Sequence, residues 1–139
     1  MTVFEEIAAI LHPLPEPGSV EPEELYNDAC RAVDNERRQT AEWLEGAWDG
    51  GDAEPLLNAI GQARRRREQA EEDIRRLVAY GREFTRPRPY TLADLAEAAG
   101  MSISGVRTCY DHDQVAAVTS AIGRPSRDWR ATDPTGDDG

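Results

Sequence analysis

The stretch 90-YTLADLAEAAGMSISGVRTCY-110 reads as two short helices joined by a glycine turn, and the rest of the chain is placed around it. Thr91 is expected to be an N-cap forming a capping box with Asp94 three residues on, and Tyr90 and Leu95 are positioned to close as a hydrophobic staple. Leu92, Leu95, Ala96 and Ala99 form one apolar stripe at helical spacing. Gly100 then supplies a residue that takes a left-handed backbone without a Cβ penalty, so the first helix ends there. Ser102 caps a second helix that carries Ile103, Val106 and Tyr110 on one side and Ser104, Arg107 and Thr108 on the other.

The spacing carries more than the composition does. Ala96 is the small residue where the helices touch, Gly100 follows four later, and Val106 follows six after that, with Leu95, Ala99 and Met101 in the other inward positions. This pattern resembles the helix-turn-helix of bacterial DNA-binding proteins. The resemblance implies that the second helix is a recognition helix lying in the major groove of double-stranded DNA. On that reading Ser102, Ser104, Arg107 and Thr108 are the candidates for base contact, Arg107 through the bidentate guanine contact. Arg82, Arg86, Arg88 and Thr91 are the candidates for phosphate contact, since RPRP leads an extended backbone directly into the first helix. The sequence departs from the pattern at Gly105, which costs a helix interior about 1 kcal/mol relative to alanine. One such motif with a single arginine on its reading face binds weakly alone, so a homodimer on paired half-sites is expected.

Charge is distributed in favour of that stretch. The chain has 139 residues and a net charge of −11, which by itself opposes binding to phosphates. Residues 1–60 hold 3 arginines and 14 acids, whereas residues 61–110 hold 10 arginines and 7 acids. The positive excess therefore sits beside the motif, and the acidic N-terminal half offers a surface to a protein partner. All 16 basic residues are arginine, which with abundant alanine and glycine points to a high-GC bacterial genome. No apolar run reaches the ~18 residues of a membrane span and no charged-then-apolar leader opens the chain, so a cytoplasmic protein is expected. Cys30 and Cys109 fall on helices with apolar neighbours and read as reduced core thiols.

Around the motif the chain reads as helical throughout. Residues 1–12 form an amphipathic helix, with a Thr2–Glu5 capping box and a dense stripe of Val3, Phe4, Ile7, Ala8, Ile10 and Leu11 that must dock on the neighbouring helices or on a second copy. Residues 13–21 are a proline-rich linker. Residues 22–84 read as an antiparallel helical hairpin turning at DGGD, with Asp52 as a cap and a coiled-coil-like seam. Leu56, Ile60, Ala63, Arg67, Ala70, Ile74, Leu77, Gly81 and Phe84 are its second strip, facing Tyr26, Ala29, Val33, Glu36, Thr40, Trp43 and Ala47. That register places Trp43 near Leu57 and Ile60, and Glu36 near Arg67. Arginines 64–67 point all round a helix, within reach of Glu68, Glu71 and Glu72, so they read as a solvated face. Residues 70–123 are the helix-turn-helix domain, sharing the end of the long helix and closed by a last helix between Asp111 and Gly123. Residues 124–139 lack apolar periodicity and read as a disordered tail.

The sequence assembles no catalytic constellation. There is no glycine-rich phosphate loop and no metal-ligand spacing, His12 and His112 stand far apart, and Cys109 with His112 straddles a helix break. The fold class is therefore all-α, an N-terminal antiparallel hairpin continuing into a helix-turn-helix domain, and the expected role is a sequence-specific transcriptional regulator, not an enzyme, needing no cofactor. The alternative is a protein-interaction adaptor whose helix-turn-helix has become a docking surface, favoured by the acidic balance and the sparse basic face.

Overall fold

Local capping chemistry starts most of the helices. The computed structural model describes residues 1–51 and 53–126. Among them are six helices and no strand: α1 Val3–Leu11, α2 Glu23–Asp49, α3 Pro55–Glu83, α4 Leu92–Ala99, α5 Ile103–Thr108 and α6 His112–Ile122. Thr2 and Glu5 close a reciprocal box at the start of α1, as Asp111 and Gln114 do for α6. The hydroxyls of Thr91 and Ser102 accept from the backbone N–H groups of Asp94 and Gly105 at the starts of α4 and α5, Thr91 as a single cap without the return bond from Asp94 that a box requires. At α3 the Glu54 carboxylate accepts from Leu56 N–H at 2.5 Å and Leu57 N–H at 3.3 Å. The expected cap Asp52 lies outside the described residues. No helix among them is long and apolar enough to cross a membrane.

The chain divides into two compact units, Met1–Arg66 and Arg67–Gly139, and α3 runs through the division. In the first, α1 docks on α2, burying Ile7 and Ala8. Ile7 joins Leu44 of α2 and Ala59 of α3 in a small core flanked by Phe4 and Leu11. Two polar ties hold the end of α1 in place: His12 Nε2 lies 2.8 Å from Thr40 Oγ1, and Arg37 Nε donates to the His12 carbonyl at 2.7 Å. His12 is the C-cap residue of α1, and its ring is tied to α2 as well. The linker is tied as well, through the Tyr26 hydroxyl donating to the Pro15 carbonyl.

This packing rotates α3 away from the seam its periodicity suggests. Ala59, not Ile60, meets Leu44, and one residue is a 100° turn about the helix axis. The core shared with α1 is centred on Leu44, a residue outside the strip that the hairpin register assigns to α2, so α3 meets a different face of α2. Trp43, Leu57 and Ile60 accordingly stay more than half exposed. Glu36 and Arg67, paired in that register, belong to different units.

In the second unit Ile74 and Val78 of α3 pack against the helices that follow it, while Leu77 of the expected seam stays exposed. Val78 forms a core with Ala96 of α4 and Val106 of α5, and Ile74, Leu92, Leu95, Met101, Cys109 and Tyr110 pack against it. Ala79, Phe84 and Val118 are buried as well. Phe84 stacks on Tyr80 one helical turn earlier, centroids 6.1 Å apart.

Candidate nucleic-acid interface

The α4–α5 corner is built by two short-range devices. Gly100 sits at φ 69°, where a side chain would be strained, and Met101 N–H reaches back to the Ala96 carbonyl at 3.0 Å to close the end of α4. Gly105 then allows Ser102 to cap α5 closely. Its N–H donates to Ser102 Oγ at 2.9 Å, and a Cβ there would stand 3.2 Å from the same oxygen. The propensity cost of Gly105 is therefore offset by a tight cap. Ala96 and Val106, the small contact residue and the lock of the expected pair, are both buried.

Longer-range hydrogen bonds hold the approach to α4. Tyr90 N–H donates to the Gly81 carbonyl at 3.0 Å, and Arg82 Nη1 donates to the Tyr90 carbonyl at 2.6 Å. Tyr90 and Leu95 converge on Gly81, where a Cβ would meet both at 3.4–3.6 Å. These are ordinary contact distances, so an alanine there would pack against both without displacing them.

The eight candidate contact residues divide by what their polar atoms already do. Ser102 Oγ and Thr91 Oγ1 are occupied as caps. Thr108 Oγ1 donates back to the carbonyls of Ser104 and Gly105, at 3.2 and 3.4 Å. Arg82 is spent on the Tyr90 carbonyl. Arg107 and the Ser104 side chain remain exposed on α5, and Arg88 is exposed on the loop before α4. Arg86 is half-buried, with its Nε fully covered and unpartnered in the structure.

Compared with protein-family models, curated proteins and solved structures, the chain matches none. Its chemistry must be read from its own charges.

Cations of this unit differ in what they meet. Arg75 and Arg76 are committed to Glu72, at 3.4 and 3.0 Å. Among the described residues no carboxylate pairs with Arg86, Arg88 or Arg107. Uncompensated guanidinium groups are what an anionic polymer requires. The expectation that Glu72 serves arginines 64–67 is replaced by a different role. Arg76, Gln114 and Arg75 all donate to it, and these bonds, Arg76 first, hold its carboxyl below the ordinary value.

Three residues tie the unit together, of which the sequence singles out neither Glu83 nor Arg124 for such a role. Glu72 accepts from Gln114 Nε2 at 3.3 Å, joining α3 to the first turn of α6. Glu83 accepts from the Tyr110 hydroxyl at 2.5 Å, joining α3 to the segment between α5 and α6. Arg124, assigned by composition to the tail, lays its guanidinium over the Phe84 ring, 5.7 Å from the centroid, and donates to the Phe84 carbonyl. A cation there also suits the C-terminal end of α3. Tail residues 127–139 lie outside the described residues.

Burial, then the hydrogen bond to Glu83, pushes the Tyr110 phenol well above its usual pKa. A raised folded-state pKa contributes stability that is fully present below the unfolded value near 10 and is lost as pH rises through the folded value. Tyr110→Phe is expected to lower stability at neutral pH by about 1 kcal/mol and to flatten the alkaline decline that the wild type shows. Denaturation midpoints measured from pH 7 to 12 test this, and parallel curves for the two proteins would contradict it. Burial likewise raises the Cys109 thiol, the opposite of what an activated nucleophile beside His112 needs.

Proposed function

We propose that this chain is a sequence-specific DNA-binding protein in which α4 and α5 act as a helix-turn-helix, α5 as its recognition helix, with a homodimer as the binding species and transcription as the process regulated. The observation that carries the reading is the placement of Arg86, Arg88 and Arg107, none paired with a carboxylate among the described residues, on α5 and on the loop entering α4, while Arg75 and Arg76 are paired with Glu72. The buried Ala96 and Val106 and the left-handed Gly100 support the same reading. In it Arg107 and Ser104 face base edges, and Arg86 and Arg88 meet phosphates. Thr91, Ser102 and Thr108 contribute through the shape of the helices they cap or close. α5 is six residues long, about 9 Å, so it reads few base pairs per copy.

Selection of bound sequences from a random duplex pool tests the proposal. A two-fold-related site is expected to emerge. Four phosphate contacts, two from each copy, predict an affinity loss of about 150-fold between 50 and 200 mM salt. Recovery of no motif, with no salt-sensitive retention, would favour the adaptor reading instead. Sedimentation at micromolar concentration checks the dimer separately, and a monomer there would remove that part.

A further inference from the structure

The first unit contains a cleft of about 430 Å³ that the DNA-binding reading does not use. It lies within the size range of small-molecule sites. Its floor is apolar, made by Leu44 and Ala59, which are also the core of the unit. One wall is the indole of Trp43, half exposed although it is the largest apolar side chain of α2's inner region. The rim carries Gln39, Gln62 and Arg66. Among the described residues none of these three side chains has a hydrogen-bond or ion-pair partner.

We propose that this cleft binds a small aromatic carboxylate. The indole offers a planar face for a ring, Leu44 and Ala59 offer an apolar base, and Arg66 offers a guanidinium for bidentate pairing with a carboxylate. The two amides can each donate or accept at ring substituents. Charge favours a monoanion over a dianion: the unit, residues 1–66, holds 6 arginines and 14 acids, so a phosphate dianion meets more repulsion than a carboxylate whose single charge Arg66 balances. This inference stands independently of DNA binding.

The test uses the full chain labelled with ¹⁵N and follows the indole N–H signals of Trp43, Trp48 and Trp129, assigned by Trp43→Phe. Benzoate is expected to shift the Trp43 signal saturably, with benzamide and phenyl phosphate each about tenfold weaker or more. Arg66→Met is expected to weaken benzoate binding about tenfold and to leave benzamide unchanged, which also shows that the cleft remains folded. The proposal is overturned by a Trp43 signal that does not respond to benzoate, or by benzoate binding that survives Arg66→Met.

Discussion

Phe84→Ala is expected to destabilise the second unit by about 3–5 kcal/mol, the range for removing a buried aromatic side chain. The ring is 1% exposed. It stacks on Tyr80, with 10° between the planes, and supports the Arg124 guanidinium. Truncation would therefore leave a cavity and also uncover a cation. Arg124 Nη1 is already buried without a partner, so the guanidinium depends on the ring and on the Phe84 carbonyl for its placement. The readout is amide hydrogen exchange across α4 to α6 together with a urea melt of the whole chain. Protection in α4 to α6 should fall while that of α1 persists. A loss below about 1 kcal/mol, the range of ordinary surface changes and mild core swaps, would mean that Phe84 does not organise this unit.

The second large effect is on recognition. Arg107→Ala is expected to weaken binding to the selected duplex by about 1–3 kcal/mol, roughly 5- to 150-fold, and to relax preference at one base pair. Binding to random duplex should change little. Arg88→Ala should behave in the opposite way, weakening all sequences alike and reducing the salt slope by about 1 for each copy. The contrast follows from position, since Arg107 lies on α5 and Arg88 lies on the loop before α4, both exposed and unpaired. If Arg107→Ala discriminates among sequences as the wild type does, α5 is not the reading helix.

The two effects are linked through α3. The approach to α4 is held by Arg82 on the Tyr90 carbonyl and by Tyr90 N–H on the Gly81 carbonyl, both within one turn of Phe84. A variant that loosens Phe84 should thus lose DNA binding together with stability. Arg107→Ala should lose discrimination alone, with an unchanged melt. Measuring both quantities on both variants separates an organising residue from a reading one.

Sequence alone determined the helices and their ends, because those signals are local. The caps at Thr2, Thr91, Ser102 and Asp111 act within three residues, and the left-handed glycines Gly100 and Gly123 end their helices wherever the rest of the chain goes. The burial of Ala96 and Val106 was legible for a related reason: two helices ten residues apart across a tight turn have few ways to pack. Only the tertiary structure decided which face of α3 meets α2, since a shift from Ile60 to Ala59 changes no propensity but turns the helix by 100°. It also decided the fate of the arginines. Arg82, Arg88 and Arg107 are alike in sequence chemistry, and only the fold brings the Tyr90 carbonyl to Arg82 while leaving the other two exposed. The pairs Glu83 with Tyr110, Glu72 with Gln114 and Phe84 with Arg124 span 27, 42 and 40 residues. No periodicity encodes such contacts, because they exist only once the helices between them have packed.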